Sequence, residues 1–361
     1  MSPTQSKSAN AGVHNAIGIE FQKHCAVYIL LDTYSTIKDK NYFICLEHHD
    51  DFLFCHLTPT DIVSNIQAFQ AKKSSNPWAT TKLYELIKGI AETGVNLAND
   101  PISKEAAYDH TLQFLSNNTI NLDDGKKKNK KLVVVSDSNS PVQFTILDAG
   151  IKKKIIEGIT KELTLSADEL AQLDKFSLAF IDLPRKSENQ VAALIGKFAS
   201  LFGNTVADHK AAIKVLIDLF RSVETVLNNG TKIQLLDTSK RVTSKQITHA
   251  IDVITSKQKA YALWRDVNKE VAPQLQISVF DQEQFMLQVN NSFDLFKDLK
   301  QAEHQKVIAY ARGNRAIWQN CYTESDCIQE IYKSFLKTER SNLNALDLKA
   351  AIFAAYVEVK G

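Results

Sequence analysis

The period of hydrophobic and polar positions changes twice along this chain. Over residues 17–34, Ile19, Val27, Leu30 and Leu31 alternate with Glu20, Gln22 and Lys23 at helical spacing, which predicts an amphipathic helix. Residues 42–47, 51–57 and 65–72 are short runs rich in Phe, Ile, Tyr and Cys, broken by Asp, Thr and Pro; they predict three strands. Residues 74–77 read as a loop, and 79–97 as a helix carrying Leu83, Leu86, Ile87 and Ile90 on one face. A charged turn, 123–131, feeds 132–136, which gives the clearest strand signal; 142–147 is expected to pair with it, and 176–181 to form a further strand. Ser166 and Glu169 have capping-box spacing. Residues 189–202 and 208–227 then predict long amphipathic helices, with a stop at Asn228-Asn229-Gly230. From 242 to 359 the pattern is almost wholly helical, with starts expected at Thr243, Asp281, Thr323 and Asn342. The expected architecture is a disordered N-terminus (1–14), an α/β domain (15–229) and an all-α domain (230–361), with the boundary near Asn229.

Composition narrows this picture only a little. A chain of 361 residues with 44% hydrophobic positions is long enough for two or three cores. Its 43 basic and 41 acidic residues leave a formal charge of +2, so any nucleic-acid contact must come from local patches. Five cysteines without framework spacing fit free thiols in a reducing cytoplasm, the expected location. Residues 1–11 are polar and small and lack the apolar core of a secretory signal. No run approaches eighteen apolar residues, so no membrane span is expected.

Candidate chemistry concentrates near the front. Asp51 opens one predicted strand, and Gln70 and Lys72 close the next, projecting from one face because side chains alternate along a strand. An acid, a neutral oxygen donor and a lysine can hold a divalent cation and a water beside a phosphate, as metal-dependent phosphodiester hydrolysis requires. Mg²⁺ or Mn²⁺ would take hard oxygens from Asp51, from the Gln70 amide and from the Ala71 backbone carbonyl. Glu20 adds a second acid if its helix packs along the sheet, and Glu47 and Asp50 lie close enough in sequence to compete for the ligand role. On spacing alone, a turn acid beside a solvated strand end accounts for the same residues.

Other signals are weaker. Cys45, His48, His49, Cys55 and His56 are soft donors, but their spacing matches no closed zinc module. Cys321 and Cys327 read as packing residues. No P-loop and no G-x-S-x-G elbow occurs. Two lysine runs can grip DNA phosphates: Lys126, Lys127 and Lys128 with Lys130 and Lys131, and Lys152, Lys153 and Lys154. The first also reads as a solvated hairpin loop. The second opens a helix, where positive charge opposes the dipole, which favours a phosphate-facing role. Trp264, Trp318, Tyr310, Phe293 and Phe296 read as core of the helical domain, with any exposed subset forming an assembly surface.

Taken in order, Gly18-Ile19-Glu20-Phe21-Gln22, the segment Glu47 to Phe52, Gln70-Ala71-Lys72 and Trp78-Ala79-Thr80-Thr81-Lys82-Leu83 resemble the bacterial double-stranded-DNA endonuclease family that serves as effector in anti-phage defence. That family belongs to the PD-(D/E)xK superfamily; some members are fused to cyclic-oligonucleotide sensors and others are encoded beside a HerA-type hexameric ATPase. The resemblance spans about residues 15–230 and is strongest over 18–83. It implies a restriction-endonuclease-like α/β nuclease domain, Asp51, Gln70 and Lys72 as the catalytic triplet, Glu20 as an auxiliary acid, and a Mg²⁺ or Mn²⁺ cofactor. Gln70 stands where the superfamily usually has Glu. The all-α part does not resemble a sensor, which favours a homo-oligomer or a HerA-type partner as the control. The competing class is a non-catalytic DNA-binding or assembly protein with a degenerate nuclease fold.

Overall fold

The structure is a computed structural model that describes residues 11–48, 50–203, 206, 208–224 and 235–360. The expected disordered N-terminus falls largely outside these residues; from Ala11 the chain is helical. Two compact units divide it: Met1–Leu201 with His209–Thr248, and Phe202–Asp208 with His249–Gly361.

The first unit opens with α1 (Ala11–Ile37), β1 (Tyr42–His48), β2 (Asp50–Leu57), β3 (Val63–Lys72) and the short β4 (Trp78–Ala79). The expected helix at 79–97 starts later, at α2 (Tyr84–Asn99), because β4 and a 3₁₀ turn at Thr80–Lys82 occupy its first residues. Next come β5 (Lys104–Ser116), β6 (Ile120–Asp123), β7 (Leu132–Val135), β8 (Val142–Gln143), α3 (Ala149–Glu162), α4 (Ala167–Gln172), β9 (Phe176–Phe180), α5 (Ser187–Phe202), α6 (His209–Glu224) and β10 (Arg241–Thr243). Ser166 and Glu169 form the reciprocal capping box at α4.

Seven strands form the main sheet in the order β10-β1-β2-β3-β5-β9-β8. β1, β2 and β3 form an antiparallel meander, while β3, β5 and β9 run parallel. Leu53, Cys55, Ile66, Ala68, Leu112 and Phe114 point into one core with Ile87 and Ile90 of α2 and Ile151, Ile155 and Ile159 of α3. The alternate positions Phe52, Phe54 and Phe69 stack together, with Phe52 and Phe69 centroids 4.8 Å apart. α1 packs along β2 and β3, and α6 along β1 and β10.

Two expectations change. Residues 142–147 do not pair with 132–136: β8 pairs with β9, and Phe144–Ile146 is a 3₁₀ turn. The valine run instead forms β7, the edge of a separate three-stranded sheet, β4-β6-β7, with Leu132 and Val134 exposed. Valine content signals a strand but not its partner. The long strand β5 has no clear pattern in sequence because its first half, Lys104 to Asp109, is mostly exposed and carries no alternating apolar face. The sheet also reaches past Asn229, since β10 pairs with β1 through Phe43 and Thr243.

The second unit is helical: most of α7 (Ser244–Gln274), then α8 (Gln282–Leu295), α9 (Ala302–Gly313), α10 (Glu324–Thr338) and α11 (Ala345–Lys360). Thr243 and Gln246 cap α7 reciprocally, and the Thr323 hydroxyl accepts from Asp326 N at the start of α10. The last helix begins three residues after Asn342, where the Asn344 side chain accepts from Asp347 N. Trp264, Phe285, Phe293, Phe335 and Phe353 fill the core. Among the described residues, no helix is long and apolar enough to cross a membrane.

Candidate active site at the ends of β2 and β3

The β2–β3 ladder ends with Phe52 opposite Phe69, one residue short of Asp51 and Gln70. There the side chain of Asp51 takes over from the ladder. Its Oδ2 accepts the Ala71 N–H at 2.8 Å, and the Lys72 ammonium lies 3.3 Å from Oδ2 and 3.4 Å from Oδ1. Gln22 of α1 also hydrogen-bonds this carboxylate. Only 12% of the Asp51 side chain is exposed. Burial raises its pKa above the ordinary carboxylate value, and Lys72, the Ala71 amide and Gln22 offset only part of that rise. The buried thiol of Cys25 is pushed up by burial and by the neighbouring Asp51 charge.

Gln70 contributes an unusual feature: its Oε1 is buried and has no hydrogen-bond partner among the described residues. An unpartnered buried acceptor costs about 1–3 kcal/mol, so a ligand there would recover free energy. The strand ends are fixed from behind. Lys72 is in register with Ser116, whose hydroxyl accepts from the Trp78 indole at 2.8 Å, and Asn117 Oδ1 accepts from Ser74 N at 3.0 Å.

Glu20 joins an ion cluster on α1 and α6. It pairs with Lys23 at 2.9 Å and with Arg221 of α6 at 3.2 Å, and His24 Nε2 lies 3.6 Å away. Burial raises its pKa, but Lys23, His24 and Arg221 together bring it below the usual value. Burial lowers the His24 pKa, offset in part by Gln190 and Glu20, and its Nδ1 lies 2.7 Å from Gln190 Oε1. The Gln190 amide nitrogen donates to the Pro184 carbonyl, so Oε1 accepts and His24 Nδ1 carries the proton.

Asp51, Ala71 and Lys72 are therefore brought together, and Gln22 joins them. Ala71 meets Asp51 through its amide. Among the described residues no three His, Cys, Asp or Glu side chains gather at a metal-binding distance. Glu47, His48 and Asp50 have strand backbones, but their side chains, like the whole of His49, lie outside the described residues. Cys45 and Cys55 are buried core thiols; burial pushes Cys45 up to about 12 and Cys55 well above its ordinary value.

The two lysine runs differ. Lys154 is ion-paired to Asp123, Lys152 donates to the Thr145 carbonyl at 2.9 Å, and Lys153 lies 3.7 Å from Glu157. In the β6–β7 loop, Lys126 and Lys130 face Asp124 and Asp123 at 3.5 and 3.3 Å. The side chains of Lys127, Lys128 and Lys131 are exposed and make no ion pair among the described residues.

A buried acid on one strand, clasped by an amide and a lysine of the next, defines a site suited to phosphoryl chemistry on an α/β frame. The comparison with protein families is specific: a model described as Cap4, dsDNA endonuclease domain, matches residues 10–229, and the chain belongs to that family of anti-phage endonuclease effectors. No curated protein and no solved structure matches the chain significantly.

Proposed function

We propose that this chain cuts double-stranded DNA by metal-dependent phosphodiester hydrolysis at Asp51, Gln70 and Lys72, on a PD-(D/E)xK-type fold. One observation carries the reading: the buried Asp51 carboxylate accepts the Ala71 amide and faces Lys72, directly after Gln70, whose buried Oε1 has no hydrogen-bond partner among the described residues. This donor set fits Mg²⁺ or Mn²⁺, which bind through one or two carboxylates and otherwise keep water or phosphate oxygens. Asp51 and Gln70 would hold the cation. When bound it supplies positive charge that polarises a phosphoryl oxygen. Lys72 keeps a proton-bearing donor beside that position and stabilises charge as it develops on the phosphate. Asp51 cannot swing away, because the backbone of β3 holds it. Glu20 acts indirectly, by fixing α1 to α6. A non-catalytic scaffold has no need of the Asp51–Lys72 pair.

Lys127, Lys128 and Lys131 are the better candidates for gripping DNA, since Lys152 and Lys154 are already engaged. Control through self-assembly or a HerA-type ATPase in the cytoplasm completes the proposal, with the helical unit as the docking element. The deciding experiment is plasmid cleavage with Mg²⁺ by the parent and by Lys72→Ala, each with and without chelator. Chelator-sensitive cutting that disappears in the variant supports the site; equal cutting by both overturns it.

A further inference from the structure

Two of the five cysteines meet in the helical unit. Cys321 ends the 3₁₀ turn Arg315–Asn320, and Cys327 lies in the first turn of α10. The Cys321 thiol donates to the Ile317 carbonyl at 3.5 Å and the Cys327 thiol to the adjoining Trp318 carbonyl at 3.9 Å, and the two thiols are in hydrogen-bonding contact with each other. Side chains brace the span between them. The Thr323 hydroxyl accepts from Asp326 N at 3.1 Å and lies 2.9 Å from the Ser325 hydroxyl, which donates to Glu270 of α7 at 2.7 Å. Packing alone needs neither residue to be a thiol.

The pair can be reached from solvent. Cys321 is half-buried, and Tyr322 beside it is 99% exposed; Cys327 is largely buried but borders an open patch with Trp318 and Tyr356. The other three cysteines, Cys25, Cys45 and Cys55, are fully buried in the first unit. Two thiols held in contact react with each other far faster than either reacts with a partner from solution, because their encounter is already made. Burial, the Cys327 contact and the Glu330 and Asp326 carboxylates push the Cys321 thiol up to about 11, so it is almost wholly protonated at neutral pH. The thiolate is the reactive form, so this slows oxidation and leaves the pair reduced until an oxidant persists.

We propose that Cys321 and Cys327 form a reversible disulfide within one chain when the protein meets hydrogen peroxide. The thiolate of one cysteine attacks a peroxide oxygen and breaks the O–O bond; that sulfur becomes a sulfenic acid, and the departing hydroxide takes up a proton as water. The second sulfur then attacks the sulfenic sulfur. An S–S bond forms, and the hydroxyl leaves with the second thiol's proton as another water. Two electrons pass from the two thiols to one peroxide, and a small dithiol reverses the bond by exchange. The link ties the end of the 3₁₀ turn to the start of α10, beside Tyr356 of α11, whose hydroxyl contacts both Glu324 and Cys327. It is independent of the nuclease reading, because no residue of the Asp51 site takes part.

Peroxide treatment of the reduced full chain, followed by thiol counting in denaturant and peptide mass mapping, tests it. The count should fall from five to three, with one linked peptide pair carrying Cys321 and Cys327 and a chain mass lower by two hydrogens. Dithiothreitol should restore all five thiols. Electrophoresis without reductant should leave the linked chain at the monomer position. Cys321→Ser and Cys327→Ala should each lose the linkage, and Lys72→Ala should oxidise as the parent does. Five thiols remaining, oxygen adducts on either sulfur without a linkage, a bond that joins two chains, or one that involves Cys25, Cys45 or Cys55 would each overturn the proposal. The mass map of the parent decides the question even where a variant fails to fold.

Discussion

Two carboxylates of the first unit, Asp51 and Glu20, look alike in sequence and are treated in opposite ways by the fold. Glu20 faces two formal cations, Lys23 and Arg221, and its pKa is lowered. Asp51 meets Lys72, the Ala71 amide and Gln22, is more deeply buried, and its pKa is raised because burial outweighs them. One acid is solvated by its partners; the other is held against its own desolvation. A raised carboxylate in a cleft is a candidate ligand group, whereas a lowered one in an ion cluster more often holds elements together.

The largest effect expected is at Lys72. Lys72→Ala should lower cleavage by about 10²–10³-fold, the usual loss when one donor to the transition state is removed. Lys72 is 35% exposed, so the fold should survive, and circular dichroism checks this. Asp51→Asn should abolish cleavage as well, yet melt no lower than the parent at neutral pH. The sign follows from the raised pKa: ionising this carboxylate costs the folded state more than the unfolded one, and the amide escapes that cost while still accepting from Ala71. A clear drop in melting temperature would place Asp51 with the structural acids.

Glu20→Gln should show the reverse balance. Cleavage should fall less than in either site variant, while stability falls by about 1 kcal/mol at pH 7, in keeping with loss of a part-buried charge-assisted pair. Because the folded pKa of Glu20 lies below 4.5, its contribution is present above that pH and is lost as pH drops through the lowered value. Melting curves of parent and variant should therefore converge in acid. If they stay apart below that range, the ion cluster is not the cause.

The smallest effect separates the lysine runs. Replacing Lys127, Lys128 and Lys131 with Ala should flatten the salt dependence of DNA binding by about 0.9 in log–log slope for each phosphate contact removed. Replacing Lys152 and Lys154 should change it less, since both already have partners within the chain. A steeper loss from the second pair would reverse the assignment.

Much of the first unit was legible in sequence. Strands β1, β2 and β3 announce themselves by aromatic and β-branched runs, and their order fixed Asp51 near Gln70 and Lys72. The helix α1 was equally clear, and the sequence left open which of its faces meets the strand ends. Glu20 and Gln22 are two residues apart, hence about 200° apart around a helix, so the two cannot turn toward one strand end together. The structure turns Gln22 there. Helical geometry could have posed that choice, and only packing could answer it. The lysine runs show the same limit, because Asp123, which engages Lys130 and Lys154, is far from Lys154 in sequence.

The sequence by itself determined where the elements lie, which residue types could do phosphate chemistry, and that an α/β part precedes a helical one. Local periodicity and capping carry that information, because they depend on neighbours within a few residues. Tertiary structure decided the rest: that β5 enters beside β3 despite a mostly exposed first half, that β10 closes the sheet edge from beyond Asn229, and that β7 leaves the main sheet altogether. It also decided which acid is compensated and which is not. Burial and long-range charge set those outcomes, and neither is a property of any short stretch of chain.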